Sequence, residues 1–432
     1  MDFRCTYRLQ LGPDLDFAQA RELVPYLSDL GVSHLYLSPS LQARAGSTHG
    51  YDVVDPTRIS ESLGGEEEFR ALCAAAQQQG LGVVLDIVPN HMAAGDESPF
   101  WRDPLWRARF FDLDWRTGSH RRFFDVRELA GVRMEDPEVW EITHAKVLEL
   151  AQEGLIEGLR IDHPDGLANP RRYLERLREA GIEHVWVEKI LEPGEQLRDW
   201  PVEGTTGYEF LNEVCALFVD PAGETPLTAL YEEIAGDARG FHEVARECKL
   251  REATSTFAED AERLHSLLPA LDADLPAALA SLAVYRTYVE PDSGRVEEAD
   301  RAAIDEAALP VELSRILLLE ERGHDAFVVR FQQTTPPVHA KGVEDTAFYR
   351  WNRLLALNEV GGDPARFNVS VADFHRSNLA RLERFPLHLL STMTHDAKRS
   401  ADVRARLACL AGVADEWAGL VRPRLGGWRD AN

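Results

Sequence analysis

The sequence predicts an α/β fold in which parallel strands alternate with crossover helices. Strand and helix signals alternate between residues 6 and 190, as expected for repeated strand–helix–strand units. The run VVLDIV at 83–88 lacks polar alternation, which is typical of a strand covered on both faces. A doubly wound sheet and a (β/α)8 barrel both fit this pattern, and periodicity alone does not separate them.

Local patterns define each element of this first part. Leu23, Leu27 and Leu30 recur at helical spacing, and Gly31 ends that helix. Gly80 ends a second helix in the same way. In chain order we expect strands at 6–11, 34–37, 83–88, 158–161 and 184–187, and helices at 17–30, 66–79 and 171–180.

The pattern changes after about residue 210. Helical patterns at 227–234, 258–268 and 302–319 with few strand signals indicate a helical insertion. Strand patterns return at 326–331 and 389–393, so we expect the sheet to resume there.

Composition limits the classes of function. The 432 residues are 44% hydrophobic and 28% charged, as in soluble globular proteins. The net charge of −26, from 73 acidic and 47 basic residues, argues against nucleic acid or an anionic membrane as partner. The start of the chain lacks a signal-peptide pattern, and no apolar run approaches the roughly 20 residues that span a bilayer. We therefore expect a cytoplasmic protein.

Five scattered cysteines without a CxxC or Cys/His cluster indicate neither a zinc site nor a disulfide framework.

Four predicted strand ends carry polar side chains. Active-site groups of barrels project from the carboxyl ends of strands. An aspartate after one strand is often a helix cap, and a lone histidine is usually structural, but four such ends are hard to obtain by accident. They are Asp86, Asn90 and His91 of DIVPNH, Arg160, Asp162 and His163 of RIDH, Glu188 of VWVEKI, and His395 and Asp396 of STMTHD.

Glycoside bond transfer needs such a set. One carboxylate attacks the anomeric carbon and a carboxylic acid protonates the leaving oxygen, the two lying roughly 5 Å apart in retaining enzymes. Arg160 shares a strand face with Asp162, so we expect it to keep Asp162 ionised. Glu188 follows apolar residues, so we expect an apolar setting that keeps it protonated. We expect sugar hydroxyls to be held by Asp396 and by the neutral imidazoles of His91 and His395.

These stretches resemble the four short motifs of the α-amylase superfamily. The resemblance implies that Asp162 is the nucleophile, Glu188 the general acid/base and Asp396 the transition-state stabiliser. HGYDVVDP at 49–56 resembles the superfamily's loop in which an aromatic residue, here Tyr51, stacks under the sugar at the cleavage point.

Longer stretches resemble the maltooligosyltrehalose synthase family of this superfamily. They are TYRLQL, HLYLSPSLQARAGSTHGYDVVDP, RRFFDVRELAGVRMEDP, GLRIDHPDGLANP, EGTTGYEFLN, KGVEDTAFYRWNRL, LNEVGGDP and THDAKRSADVRARL. The resemblance implies a (β/α)8 barrel that converts the reducing-end α-1,4 bond of a maltooligosaccharide or related α-glucan to an α,α-1,1 bond. The substrate-binding residues it implies are His49, Tyr51, Asp52, Asp86, Asn90, His91, Arg160, His163, Lys341 and His395.

The chain departs from the family pattern in three regions. We expect the first part of the barrel at 1–205, with a reduced domain at about 92–145, and a short helical insertion at 206–325. We expect later strands at 326–432, with the last strand and a C-terminal β domain absent, so that the barrel is incomplete and has open edges. Some superfamily members bind calcium in the domain that is reduced here, so we expect no metal, and we expect no cofactor.

Exclusion of water decides between the possible activities, because hydrolysis competes for the same intermediate. Phe348, Tyr349 and Trp351 either line a closed acceptor pocket or pack as ordinary helix residues. An amylase-like hydrolase and a non-catalytic glucan-binding remnant remain alternatives to the synthase, and reaction products discriminate among the three.

Overall fold

The computed structural model describes residues 2–114 and 116–429. The chain divides into two compact units. The first unit comprises Met1–Lys189 and Arg198–Gly204, and the second comprises Ile190–Leu197 and Thr205–Asn432. The predicted division at residues 205 and 325 stays a prediction.

The first unit is built on a parallel sheet whose strands pair in chain order. The prediction of an incomplete α/β barrel is confirmed, and three strands have the bounds that the sequence predicts. The strands are Thr6–Leu9, His34–Leu37, Gly82–Ile87, Gly158–Ile161 and His184–Val187, with the two-residue strand Gly204–Thr205 at the far edge.

Four long helices connect these strands. Asp16 begins the first helix with a capping box, and Asp136 and Asn169 cap helices that start with proline. The apolar faces of the first two helices meet at Phe17 and Phe69, whose ring centroids lie 5.3 Å apart. The helices are Phe17–Asp29, Gly65–Gln78, Pro137–Gln152 and Pro170–Glu179.

Short antiparallel pairings lie between the parallel strands of the first unit. Two brief helices, Pro99–Arg102 and Pro104–Phe110, accompany them. Two pairs are Leu41–Ala43 with Val53–Ile59 and Leu113–Asp114 with Ser119–His120. In a third group, Val126–Gly131 is the middle strand and pairs with both His91–Ala93 and Arg122–Phe123.

The second unit is helical. One of its apolar clusters includes Leu264, Leu313, Phe327, Phe331 and Val338. No helix among the described residues combines the length and apolar content needed to cross a membrane. The α-helices are Tyr208–Leu217, Glu224–Ala235, Phe241–Thr254, Ala258–Leu267, Leu275–Ser281, Glu298–Ala307, Val311–Leu317, Asp325–Gly342, Phe348–Arg350, Val371–Arg384, Ala401–Ala408 and Ala414–Arg429, and Val343–Ala347 is a π-helical turn.

Three predictions for this region are wrong. Residues 326–331 belong to the helix Asp325–Gly342, because a short apolar run fits a buried helix as well as a strand. Residues 389–393 form no strand, and the described residues beyond Thr205 contain no other strand that could pair with them. The helix predicted at 302–319 is two helices, since Pro310 interrupts it.

Candidate active site

Arg160 lies at the centre of a buried charge cluster that includes Asp86, Asp162 and Glu188. Its Nη1 donates to Asp86 Oδ1 and to Asp162 Oδ1, each over 2.8 Å. Its Nη2 lies 2.8 Å from Glu188 Oε1, and the arginine side chain is only 1% exposed. Burial alone lowers the pKa of Arg160, but the charges of Asp86 and Glu188 raise it well above its usual value. The guanidinium is therefore a fixed cation shared by three carboxylates.

Strand register produces this cluster. Arg160 and Asp86 are register partners in neighbouring parallel strands, so their side chains project side by side from the same face of the sheet. Asp162 and Glu188 follow their strands directly, and the backbone N–H of each donates to the neighbouring strand over 2.9 Å. The ladder thus continues through both residues, which places their carboxylates together at the carboxyl ends of the parallel strands.

The setting of Glu188 differs from the prediction. The sequence predicts an apolar environment, and this is wrong. One carboxylate oxygen pairs with Arg160, and the other accepts the backbone N–H of His163 over 3.0 Å. The apolar residues that precede Glu188 are buried within the strand, so they do not describe the surroundings of its carboxylate.

Two tyrosines complete the hydrogen bonds of Asp86. The Tyr51 hydroxyl donates to Asp86 Oδ2 over 2.7 Å, and the Tyr36 hydroxyl donates to the same oxygen over 3.4 Å. The Arg160 guanidinium carbon lies 6.0 Å from the centre of the Tyr51 ring. Tyr51, predicted as a sugar platform, is therefore joined to the charge cluster through Asp86.

His91 and His163 both contact the ring of Phe123. The His91 ring stacks on Phe123 with centroids 3.9 Å apart, and the His163 ring meets Phe123 edge-on at 5.4 Å. Burial lowers the pKa of His91 well below its usual value, so its imidazole is neutral. His163 adopts a left-handed φ of 41°, a strained conformation that aims its N–H at Glu188.

Other predicted residues of the first unit brace loops. Asn90 is buried and accepts from Arg121 Nη1 over 2.8 Å. Asp52 accepts from the Ser47 hydroxyl over 2.5 Å. His49 is exposed, and its ring stacks on that of Tyr51 at 6.0 Å. Substrate contacts by these residues stay predictions.

The remaining predicted residues belong to the second unit. His395 Nε2 lies 3.0 Å from Asp396 Oδ2, which also accepts from the Tyr208 hydroxyl over 3.4 Å. The Asp396 side chain is 47% exposed. Lys341 Nζ lies 3.2 Å from Asp345 Oδ2.

Comparisons with known proteins identify the family. Residues 16–179 match the α-amylase catalytic domain. A putative maltooligosyl trehalose synthase of Mycobacterium tuberculosis is 37% identical over 96% of this chain and 65% of its own length. A hypothetical maltooligosyl trehalose synthase structure from Sulfolobus tokodaii is 34% identical with a TM-score of 0.86, covering all of this chain and 67% of its own. The chain belongs to the maltooligosyltrehalose synthase family.

The structure of maltooligosyltrehalose synthase from Arthrobacter ramosus agrees with this assignment. It is 35% identical with a TM-score of 0.88 and covers 98% of this chain, which spans 66% of it. The present chain therefore spans about two thirds of the length of these family members.

Of the aromatic residues in the family stretch KGVEDTAFYRWNRL, two pack in the interior. Phe348 and Trp351 are buried with Phe241 and Tyr231, which agrees with ordinary helix packing. Tyr349 is 59% exposed. Among the residues that the structure describes, no group of three or more His, Cys, Asp or Glu side chains is arranged to hold a metal ion.

Sequence reasoning missed Tyr36, Arg8 and Arg121. Arg8 and Tyr36 pair across the first two parallel strands, and Arg8 donates to the Tyr51 hydroxyl over 3.1 Å. Both occupy the same kind of strand position as the predicted residues, which is the signal that would have found them. Arg121 is the single residue between the two-residue strands Ser119–His120 and Arg122–Phe123, which are too short to give such a signal.

Proposed function

We propose that this chain performs the intramolecular transglycosylation implied by its family. The substrate is a maltooligosaccharide or related α-glucan, and its reducing-end α-1,4 bond becomes an α,α-1,1 bond. The observation that carries the proposal is the shared contact of Asp162 and Glu188 with the two Nη atoms of Arg160. One planar guanidinium holds both carboxylates close together, in keeping with the short separation required for a retaining double displacement.

In the first step, Asp162 attacks the anomeric carbon while Glu188 gives its proton to the glycosidic oxygen. The C–O bond breaks, leaving a glycosyl ester on Asp162 and a free glucose. In the second step, the anomeric hydroxyl of that glucose attacks the same carbon, gives its proton to Glu188 and releases Asp162. Two inversions at one carbon retain its configuration.

Arg160 serves these two steps differently. Its contact keeps Asp162 ionised, as attack requires. Its contact with Glu188 favours the carboxylate, which is the form that the second step needs. The first step needs the acid form, so entry of the substrate must weaken the contact between Arg160 and Glu188.

The other residues bind or orient the sugar in this proposal. Tyr51 stacks under the ring at the cleavage point, and the neutral His91 bonds to a hydroxyl. The stacked pair of His91 and Phe123 keeps water from the ester. Asp396 stabilises the charge of the transition state, with further contacts from His49, Asp52, Asp86, Asn90, His163, Lys341 and His395. A cytoplasmic location also stays a prediction.

Incubation of the purified chain with maltopentaose tests this function. Reducing ends and total products are followed by chromatography, with Asp162→Asn as the matched inactive variant. We expect loss of reducing ends without shorter sugars. A rise in reducing sugar would instead establish a hydrolase, and unchanged maltopentaose that still binds would establish a glucan-binding protein.

A further inference from the structure

Arg8 brings a second guanidinium to the charge cluster around Arg160. It lies in the edge strand Thr6–Leu9, in register with Tyr36 of the neighbouring strand. Its Nη2 donates to the Tyr51 hydroxyl over 3.1 Å, and its guanidinium carbon lies 5.4 Å from the centre of the Tyr36 ring. Arg8 is thus linked to the cluster through the aromatic residues that contact Asp86.

The Tyr51 hydroxyl is held from two sides. A phenol has one proton to donate and lone pairs to accept. The proton goes to Asp86 over 2.7 Å, while a lone pair receives the N–H of Arg8. Burial and the charge of Asp86 raise the pKa of Tyr51, so the hydroxyl stays protonated. These two hydrogen bonds locate the oxygen and restrain the plane of the ring.

Arg8 also braces the loop that carries Tyr51. Its Nη1 donates to Gln10 Oε1 over 2.9 Å, and Gln10 Nε2 donates to the carbonyl of His49 over 3.3 Å. The Tyr51 N–H donates to His49 Nδ1 over 3.0 Å. These contacts close a ring from Arg8 through Gln10 and His49 to Tyr51, and the hydroxyl of Tyr51 returns to Arg8.

The balance of charge gives Arg8 a second effect on this site. Asp86, Asp162 and Glu188 all contact the guanidinium of Arg160. Arg8 adds a positive charge one hydroxyl away from Asp86, and it polarises the Tyr51 hydroxyl towards that carboxylate. Loss of Arg8 would leave the Asp86 bond in place but release the ring from its lateral restraint.

We propose that Arg8 is a positioning residue that holds Tyr51 in the orientation in which its ring supports the sugar at the cleavage point. Arg8 touches neither the reacting carbon nor the nucleophile in this proposal. It acts on the geometry with which the sugar meets Asp162, to which rates are sensitive. The inference rests on the proposed function, because Tyr51 supports a sugar only if an α-glucan binds there.

A double-mutant cycle with Arg8→Met and Tyr51→Phe tests the inference. Phenylalanine keeps the ring but removes the oxygen to which Arg8 donates. We expect each single change to lower kcat/KM for maltopentaose about tenfold, the scale of one hydrogen bond to a charged group. The double variant should lose clearly less than the product of the two single losses, because both changes remove the hydrogen bond between Arg8 and the Tyr51 hydroxyl.

The same cycle is measured as maltopentaose affinity in an Asp162→Asn background, by titration calorimetry. Binding is then read without turnover, so it does not depend on the products formed. Arg8→Lys keeps the charge with a different reach and should recover part of the loss. It replaces Arg8→Met if that variant does not fold. Arg21→Met removes an exposed arginine paired with Glu68 at 3.0 Å and should leave both readouts unchanged.

The outcomes separate the two proposals. The positioning role would be overturned if Arg8→Met lowered kcat/KM and affinity by the same factor in the unchanged chain and in the Tyr51→Phe variant. Arg8 would then act by a route that does not involve the Tyr51 hydroxyl. Shared losses in binding, combined with no transglycosylation product from the unchanged chain, would refute the proposed function and keep the role of Arg8. Absence of maltopentaose binding by the unchanged chain would overturn both.

Discussion

Asp162 and Asp396, two of the three proposed catalytic carboxylates, are held in contrasting ways. Asp162 directly follows a buried strand, its side chain is 8% exposed, and it accepts from a buried arginine. Asp396 lies in a segment without helix or strand, its side chain is 47% exposed, and its neighbours are His395 and Tyr208. Strand pairing orders the first carboxylate before any substrate arrives. The second relies on a few side-chain contacts.

The contrast shows how a sheet makes charged groups part of the fold. Burying Asp86 and Asp162 is costly unless a cation compensates them, and Arg160 does so from the same strand end. Removing one member of such a cluster should disturb stability as well as chemistry. An exposed carboxylate should influence chemistry alone.

Asp162→Asn and Asp396→Asn test this contrast and carry the largest expected effects. Each should lower kcat for maltopentaose by at least about 10³-fold, the scale found when a reacting group is removed. Only Asp162→Asn should also destabilise the fold, by about 1.5–3 kcal/mol, because it weakens a buried charge-assisted hydrogen bond. Asp396→Asn should stay within about 0.5 kcal/mol. Urea unfolding followed by tryptophan fluorescence measures both.

Equal stability losses in the two variants would contradict the contrast. Retained activity in Asp396→Asn would remove this residue from the proposed chemistry while leaving the pair of Asp162 and Glu188 intact. Circular dichroism at the assay temperature excludes a trivial loss through unfolding.

Arg160→Met breaks the compensation itself. Methionine fills part of the volume but leaves Asp86, Asp162 and Glu188 without their shared cation. We expect a loss of about 3–5 kcal/mol in the free energy of unfolding, since a buried charge pair is broken by removing one partner. The matched control is Arg172→Met, whose pairing with Glu179 is exposed and screened by solvent, so we expect little change in stability. Similar urea midpoints for the two variants would show that the buried carboxylates are adequately held by other groups.

The sequence predicts the strands of the sheet better than it predicts the side-chain contacts at their carboxyl ends. Strands such as Gly158–Ile161 and His184–Val187 are short apolar runs bounded by turns and helices, so their bounds are readable. Their parallel order then follows from the alternation with helices, and with it the proximity of Asp162 and Glu188. The pairing of Arg160 with Asp162 is likewise expected from their spacing on one strand face.

Contacts that depend on several elements at once are not readable in this way. The contact of Glu188 with Arg160 requires the register of two strands, and that of Arg8 with Tyr51 requires a strand and a distant loop. The pattern predicts a strand within the helix Asp325–Gly342 because Phe327, Val328 and Phe331 fit both the strand and the helix periodicity over so short a run. Residues 389–393 have strand-like composition but no neighbouring strand to pair with in the described part of their unit.

Glu344 extends the comparison to a buried acid of the second unit, with a smaller expected effect. It lies in the π-helical turn Val343–Ala347, where the Tyr285 hydroxyl donates to it and Lys398 Nζ lies 3.8 Å away. Burial raises the pKa of Glu344 from 4.5 to about 7. Between these values the folded protein keeps a proton that the unfolded chain releases. The stability that this group contributes is therefore present below pH 4.5 and is lost as the pH rises towards 7.

Glu344→Gln should remove this dependence. Glutamine keeps the shape and an acceptor for Tyr285 but does not ionise, so the free energy of unfolding should fall less between pH 5 and 7 than in the unchanged chain, by about 1–3 kcal/mol. The control Glu312→Gln changes an exposed glutamate of the same unit and should keep the original slope. Parallel slopes for both variants would mean that Lys398 already compensates the Glu344 carboxylate. The buried carboxylates of both units would then be compensated by a neighbouring cation, and the contrast between the units would be limited to Asp162 and Asp396.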